Sequence, residues 1–155
     1  MTDKAGFIGL GAMGGPMALN MLKKGIPLIV HDIDPVKVEK LAAAGAEIAR
    51  SSKETAASVK RVICLVETTE QARDVILGEN GIIHGVDAGD VVLCMSTIDP
   101  LVAKEIGVSL NEKGVKMLDA PISGGTPKAQ EGTLAVIVGG EVETFERCRD
   151  IFDAV

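Results

Sequence analysis

Short, nearly uninterrupted runs of Val, Ile and Leu alternate along this chain with segments whose apolar residues recur at helical spacing. Strands with one solvated face alternate apolar and polar residues, whereas strands covered by helices on both faces are apolar throughout. The alternation therefore predicts an α/β fold, an open, doubly wound and mostly parallel sheet between two layers of helices. At 155 residues the chain has the length of one such domain, and we see no internal repeat or linker.

The same patterns predict the position of each element. Gly45, Gly78 and Gly114 are expected to end helices, and Ser52 is expected to cap a short one. The segments after Gly78 and after Gly125 are expected to be loops. Strands are predicted at 5–10, 27–31, 47–49, 61–66, 91–95, 115–118 and 134–138, and longer helices at 13–24, 34–44, 69–77, 100–113 and 142–152.

The composition excludes several kinds of chemistry. The chain has no Tyr, so it cannot carry the Tyr-Lys pair of the short-chain dehydrogenases. Its two His, His31 and His84, and its three scattered Cys do not make a typical zinc site, and no metal is expected. His31 at a strand end and His84 in a polar loop are both expected to be structural. The chain's own titratable side chains therefore offer few candidates for catalysis.

Charge, cysteine use and hydropathy indicate the cellular compartment of the protein and the kinds of partner it lacks. A net charge of −6 and few aromatic residues argue against a nucleic-acid partner. The three Cys lie far apart, which favours reduced core residues of a cytoplasmic protein. No apolar run is long enough for a membrane span, and a strand that begins by Ala5 leaves no room for a signal peptide. We therefore expect a soluble protein without a membrane partner.

A glycine motif directly follows the first predicted strand and opens the first predicted helix. Gly9 permits a tight turn, Gly11 lets the backbone approach a pyrophosphate, and Gly14 lets the helix pack close to the strand. The free N–H groups at the helix N-terminus then face the phosphates. A glycine-rich turn without a ligand is the alternative, but this placement favours a Rossmann-type dinucleotide site. The motif comprises Gly9, Leu10, Gly11, Ala12, Met13 and Gly14.

An acidic residue, Asp32, ends the second predicted strand. A carboxylate at this position accepts hydrogen bonds from the hydroxyls of the adenosine ribose and repels a 2′-phosphate. Ile33 follows it, so no Arg is present there to receive that phosphate. The pair predicts a preference for NAD over NADP. The alternative is that Asp32 is simply an exposed loop acid.

Polar and glycine residues also follow two later strands. Ser96 and Thr97 come after the strand at 91–95, and Ser123, Gly124 and Gly125 come shortly after the strand at 115–118. Parallel strands place their carboxyl ends on one edge, where ligands of such sheets bind. Ser123 and the backbone N–H groups of the two glycines could therefore hold a substrate carboxylate or hydroxyl. A strand that ends in a Pro/Gly turn is the alternative.

Four segments together resemble a known family. G-F-I-G-L-G-A-M-G-G-P-M-A-L-N at 6–20 is similar to the opening signature of the β-hydroxyacid dehydrogenases, which are related to 6-phosphogluconate dehydrogenase. S-T-I-D-P at 96–100, D-A-P-I-S-G-G at 119–125 and G-T-L-A-V-I-V-G-G at 132–140 match as well. The likeness runs through essentially the whole chain. Within the family, E-N-G-I-I-H-G at 79–85 and P-K-A at 127–129 favour tartronate semialdehyde (2-hydroxy-3-oxopropionate) reductase, and S-T-I-D-P is equally typical of 3-hydroxyisobutyrate dehydrogenase.

The resemblance implies a role for each segment. The motif at 9–14 would bind the pyrophosphate of NAD, with Asp32 on the adenosine ribose. Thr97 would lie beside the nicotinamide ribose. Ser123, Gly124 and Gly125 would bind the carboxylate end of a short hydroxy acid or semialdehyde. The expected reaction is hydride transfer between NAD(H) and that substrate.

Two features depart from the family pattern. Family members usually carry Leu-Pro or Met-Leu-Pro after the fourth strand, beside the adenosine, where this chain has Leu65, Val66 and Glu67. The family's catalytic Lys lies on a long helix that leads into an all-helical, oligomer-forming domain, and no lysine here occupies its place. Lys128 is expected to be an exposed loop charge. The resemblance therefore implies the cofactor-binding domain 1–155 of a homo-oligomeric enzyme, with the catalytic Lys beyond Val155.

Two other functions remain open at this point. The chain could be a non-catalytic NAD-sensing module that works by binding and by contact with a partner. It could also be an S-adenosylmethionine methyltransferase, since that fold shares the glycine turn and the acid after the second strand. The Pro16-Met17 helix and the Ser123-Gly124-Gly125 segment do not suit the methyltransferase.

Overall fold

A computed structural model describes residues 3–155 of the chain. Its centre is a six-stranded parallel sheet with the order β3-β2-β1-β4-β5-β6. The two halves run outward from β1 in opposite directions, so the predicted doubly wound α/β fold is confirmed. The strands of this sheet are β1 (Ala5–Ile8), β2 (Leu28–His31), β3 (Glu47–Ile48), β4 (Arg61–Cys64), β5 (Val91–Cys94) and β6 (Lys116–Asp119).

Helices cover both faces of this sheet. Helices α1, α2 and α6 pack on one face, and α3, α4 and α5 pack on the other. Every residue of β1, β4 and β5 is buried, as the continuous apolar runs predict. The helices are α1 (Gly14–Lys23), α2 (Pro35–Ala43), α3 (Ser52–Ala57), α4 (Thr69–Leu77), α5 (Pro100–Glu112), α6 (Gly125–Glu131), α7 (Val142–Glu146) and α8 (Arg149–Phe152).

Helix starts follow from local capping chemistry. The Asp34 carboxylate accepts a hydrogen bond from Val36 N–H and Pro35 opens α2, as the sequence predicts. For α3 the predicted cap is wrong by one residue. The Ser51 hydroxyl accepts from Glu54 N–H, and Ser52 is the first, buried residue of the helix.

The C-terminal part differs most from the prediction. The strand predicted at 134–138 is reduced to β8 (Ala135–Val136), which pairs antiparallel with a short, unpredicted β7 (Ile122–Ser123) outside the parallel sheet. The segment predicted to be a loop after Gly125 forms α6, so Lys128 is helical, although it is exposed as expected. The helix predicted at 142–152 is two short helices, α7 and α8, and Ile82–His84 forms a single 3-10 turn.

Of the two His expected to be structural, His31 makes an internal contact, whereas His84 is exposed. His31 Nδ1 lies 3.1 Å from the carbonyl oxygen of Ala49 and ties β2 to the residue after β3. Cys64, Cys94 and Cys148 are buried thiols. No helix within residues 3–155 combines the length and the apolar character that a bilayer crossing requires. In the same range, no three His, Cys, Asp or Glu side chains are grouped closely enough to hold a metal ion.

Candidate functional site

The parallel strands end in a single row. Ile8 of β1 is in register with His31 and Cys64, and Cys94 is in register with Cys64 and Asp119. The segments that leave these strands therefore emerge at one edge of the sheet. They contain nearly all of the residues that the sequence marks as functional. The topology thus places the predicted site residues along one side of the molecule.

At Gly9 and Gly14 the glycine turn packs directly against backbone atoms of the protein. Gly9 has a φ of 98°, and a Cβ built there would overlap the backbone carbonyl of Leu65. A Cβ on Gly14 would overlap the carbonyl oxygen of Gly9, so the first turn of α1 rests directly on the end of β1. Both positions exclude a side chain because protein backbone already fills the space.

Gly11 is different from its two partners. A Cβ built on Gly11 would have no heavy atom within 4 Å, and its φ is not positive. Neither the fold nor the backbone conformation therefore requires glycine at this position. The absence of a side chain leaves open space directly before the N-terminus of α1. This is the space that a bound group would use to approach the backbone.

The N-terminus of α1 suits an anion. Over the described residues, α1 has no side-chain cap at Met13 and no acidic residue in its first turn. The helix dipole makes this end positive, although Gly15 N–H already donates to the carbonyl of Gly11 at 3.0 Å and Pro16 has no N–H. Leu10 is buried, whereas Ala12 is exposed at the tip of the turn. A cleft of about 420 Å³ begins here; Leu10, Gly11, Ala12, Lys37, Lys40, Thr126 and Gln130 are among its lining residues.

Asp32 is built into the turn rather than free in solvent. Its Oδ2 accepts a hydrogen bond from Leu10 N–H at 2.7 Å, and its Oδ1 accepts one from Asp34 N–H at 2.8 Å. The carboxylate thus connects the glycine turn to the start of α2. Ile33, the next residue, is 95% exposed. Each carboxylate oxygen retains a lone pair for a further donor.

The segments after β4 and β5 border the glycine turn. Leu65 and Val66 are half-buried, and Leu65 N–H donates to the carbonyl of Ile8 at 2.9 Å. Glu67 is exposed, and its N–H donates to Gln71 Oε1 at 3.1 Å. Gln71 therefore helps to organise this loop. Thr97 is exposed at the same edge of the sheet.

The segment after β6 leads to the other side of the cleft. Ser123 lies in β7 and is exposed, and Gly124 and Gly125 both have positive φ values, 137° and 73°. Gly125 begins α6, whose next residue, Thr126, lines the cleft that starts at the glycine turn. Asn20 Nδ2 of α1 donates to the carbonyl of Ala129 at 2.8 Å and holds α6 against α1. This bond joins the two predicted halves of the site.

Burial also affects the end of β6. It raises the pKa of the Asp119 carboxyl above its ordinary value, because burial disfavours the charged form. Asp119 lines a separate groove of about 460 Å³ next to α5. That groove contains none of the predicted site residues. The candidate site is therefore the sheet edge at the glycine turn, not this groove.

Sequence reasoning missed several residues of the cleft. Lys37 and Lys40 of α2 and Thr126 and Gln130 of α6 line it. The lysines lie on the exposed face of α2 beside another charged residue, Glu39, so nothing distinguished them from solvated surface residues. The contribution of α6 could not be anticipated while that segment was expected to be a loop.

Comparison with known proteins agrees with this geometry. Residues 4–155 match the family model described as the NAD binding domain of 6-phosphogluconate dehydrogenase. NAD-dependent L-serine dehydrogenase of Pseudomonas aeruginosa is 42% identical over 149 residues, which are 96% of this chain and 50% of that protein. 2-Hydroxy-3-oxopropionate reductase of Escherichia coli is 39% identical over 150 residues, 97% of this chain and 51% of that protein. The chain spans about half the length of these curated relatives.

Solved structures agree as well. 3-Hydroxyisobutyrate dehydrogenase from Salmonella typhimurium superposes with a TM-score of 0.92 at 35% identity, covering 99% of this chain and 53% of that one. Psf3 in complex with NADP+ and 2-OPP superposes with a TM-score of 0.91 at 27% identity, covering 97% and 53%. The matched region contains the glycine turn, Asp32 and every segment at the sheet edge. This chain therefore belongs to the family of NAD-binding domains of the 6-phosphogluconate dehydrogenase type.

Proposed function

We propose that the chain binds NAD(H) at the glycine turn and serves as the cofactor domain of a dehydrogenase for a short β-hydroxyacid or its semialdehyde. The observation that carries this proposal is the contrast among the three glycines. Backbone fills the space beside Gly9 and Gly14, whereas the space beside Gly11 is open. A turn needed only for folding would not require glycine at position 11. A turn that admits a pyrophosphate would.

The surroundings of the turn fit a dinucleotide. The N-terminus of α1 has no side-chain cap, so the positive end of its dipole is available to phosphate oxygens. The half-buried Leu65 and Val66 provide an apolar wall for the adenosine side. When bound, NAD supplies the hydride chemistry, and the protein supplies binding and orientation. In this proposal, Thr97 lies beside the nicotinamide ribose.

The position of Asp32 supports NAD over NADP. Its carboxylate is held in place by Leu10 N–H and Asp34 N–H, so it cannot easily turn away from a 2′-phosphate. Like charges at close range repel, and Ile33 offers no compensating cation. Lys37 also lines the nearby cleft, but it is not one of the two residues, Asp32 and Ile33, from which this preference is argued. We propose NAD as the preferred cofactor.

The substrate is proposed from the segment after β6 and from the relatives. Ser123 and the backbone N–H groups of Gly124 and Gly125 are suited to a carboxylate or hydroxyl group. L-serine, 3-hydroxyisobutyrate and 2-hydroxy-3-oxopropionate, the compounds in the relatives' names, are all three- or four-carbon acids with an oxygen function at the β-carbon. In the complete protein, the proposal places a proton-handling Lys and a helical, oligomer-forming domain outside these residues.

Titration calorimetry with NAD+ tests the cofactor site. Gly11→Ala adds a methyl group in open space, so it should leave the fold intact while weakening NAD+ binding roughly tenfold or more. Gly107→Ala is the matched control, because that glycine lies within α5, away from the sheet edge. Failure of the unmodified chain to bind NAD+, or equal affinity in Gly11→Ala, would overturn the proposal.

A second experiment tests the proposed division of labour. The 155-residue chain is expected to bind NAD+ without reducing it when L-serine or 3-hydroxyisobutyrate is added. The absorbance of NADH at saturating substrate provides the readout. Turnover by this chain would show that its own residues handle the proton, and the proposed external Lys would then be wrong.

A further inference from the structure

Ser96 is a buried polar residue at the functional edge. It follows β5 directly and is only 2% exposed, while its neighbour Thr97 is exposed. At that depth it cannot be a direct contact for a bound cofactor. A buried hydroxyl is tolerated when it makes hydrogen bonds, so its partner indicates its role.

The partner of Ser96 belongs to the neighbouring exit loop. Ser96 Oγ accepts a hydrogen bond from Val66 N–H at 2.8 Å, across 30 positions of sequence. Val66 directly follows Leu65, whose backbone carbonyl packs against Gly9. Ser96 therefore holds in place the segment that borders the glycine turn.

A second bond runs in the opposite direction. Thr69 Oγ1, at the start of α4, accepts a hydrogen bond from Asp99 N–H at 3.1 Å. A residue directly after β5 thus holds the loop after β4, and the first residue of α4, which follows that loop, holds the loop after β5. Thr97 lies between the two anchored positions of its loop, Ser96 and Asp99.

We propose that Ser96 and Thr69 are positioning residues for the cofactor: their two reciprocal hydrogen bonds make the exit loops of β4 and β5 one rigid unit. This inference rests on the proposed NAD site. The unit presents Val66 toward the adenosine half and Thr97 toward the nicotinamide half. The two halves of the cofactor are thereby bound by a single preformed surface.

Preorganisation gives the expected size of the effect. Without Ser96 Oγ, the Val66 N–H loses its acceptor, and the loop must be ordered when the cofactor binds. Ser96→Ala should therefore weaken NAD+ binding by roughly five- to twentyfold. Thr69→Val should act in the same direction, because it releases the other end of the unit.

The experiment combines calorimetry with amide NMR of the 155-residue chain. The Val66 amide proton should move upfield in Ser96→Ala, and the Asp99 amide proton should do so in Thr69→Val. Thr55→Val is the matched control, since it removes a buried hydroxyl that donates to Ser51 O at 2.8 Å on α3. The control should lower thermal stability without changing NAD+ affinity.

The outcomes separate the two proposals. If the unmodified chain binds NAD+ and both Ser96→Ala and Thr69→Val bind it as tightly, the positioning role is wrong and the cofactor site stands. If the unmodified chain does not bind NAD+, both proposals fail. Thr69 is only partly buried, so its variant decides the question even where Ser96→Ala does not fold. An affinity loss of the same size in Thr55→Val would also overturn the positioning role.

Discussion

The carboxylate of Asp32 accepts the backbone N–H of Leu10 at 2.7 Å, which joins the end of β2 to the glycine turn after β1. The second carboxylate oxygen accepts Asp34 N–H at 2.8 Å. One side chain therefore organises the turn, the start of α2 and the proposed ribose site together. Its proposed role in cofactor choice cannot be changed without affecting the shape of the turn.

Exchange of Asp32-Ile33 for Ser-Arg should move cofactor preference toward NADP. The change removes the charge that repels a 2′-phosphate and adds a cation at a position that is 95% exposed, where Arg fits without repacking. It should also lower the free energy of unfolding by about 1–3 kcal/mol, because the N–H groups of Leu10 and Asp34 lose their charged acceptor. Calorimetry with NAD+ and NADP+ and urea unfolding measure the two effects.

Glu39→Gln is the control for that exchange. Glu39 is an exposed acid on α2, so its neutralisation tests whether loss of any nearby charge is sufficient. Cofactor discrimination should be unchanged in this variant. Unchanged discrimination in the Asp32-Ile33 variant as well would remove the assignment of Asp32 to the ribose.

Gly9→Ala should destabilise the chain far more than Gly45→Ala. The two glycines have similar φ values, 98° and 106°, so both substitutions incur the same backbone strain, on the order of 1–3 kcal/mol. Only at Gly9 does the new Cβ also overlap the carbonyl of Leu65; at Gly45 it meets nothing within 4 Å. Urea unfolding of both variants isolates the contact between the turn and the β4 exit. Equal losses would show that this contact has little importance.

The features that sequence predicted correctly are encoded by neighbouring residues. The glycine motif, the Asp34-Pro35 helix start and the apolar strands each depend on positions within a few residues of one another. Strand bounds came within two residues in the parallel sheet, because helices cover both faces and burial there leaves a continuous apolar run. The residues proposed for the site lie at one edge because parallel strands place their carboxyl ends on the same side of the sheet.

The features that sequence missed depend on distant residues. The bond between Ser96 and Val66 spans 30 positions, and that between Asn20 and Ala129 spans 109. Helix α6 begins at the second of two glycines with positive φ, a pattern that also occurs in loops. The break between α7 and α8 coincides with a contact to Arg61 on β4, 86 positions away. No local pattern contains this information.

Arg61 is expected to support the C-terminal helices without affecting the site. It is 6% exposed at the start of β4, and its guanidinium donates to Arg147 O at 3.1 Å, to Asp3 O at 2.9 Å and to the Asp150 carboxylate. Arg61→Leu should lower the free energy of unfolding by roughly 2–3 kcal/mol, since two carbonyls lose their donor. NAD+ affinity should not change, because β4 begins at the opposite edge of the sheet.

Asp150→Asn separates the charge from the carbonyl contacts. The Asp150 side chain is 36% exposed, so water can replace part of what the ion pair provides. This variant should therefore lose clearly less stability than Arg61→Leu. Equal losses in urea unfolding would mean that the ion pair, not the carbonyl contacts, accounts for the effect of Arg61.

Alkaline pH should destabilise the chain through Cys148. Burial raises the pKa of the Cys148 thiol to about 11 in the folded chain, above its ordinary value near 9. The folded state then holds a proton that the unfolded state has lost, so this contribution is complete below pH 9 and disappears as the pH rises to 11. The loss should be roughly 2 kcal/mol over that interval.

Cys148→Ala tests this assignment through the slope of stability against pH. Urea unfolding between pH 8 and 11 in the presence of a reductant gives the slope for both chains, and the absence of Tyr removes one competing titration. The variant starts from a lower stability at pH 8 because the substitution leaves a cavity, but its stability should fall less steeply with pH. The pKa of Cys64 is also raised, by its hydrogen bond with Cys94 and by burial, so a residual slope is expected. A slope identical to that of the unmodified chain would show that the Cys148 thiol does not contribute to the alkaline loss.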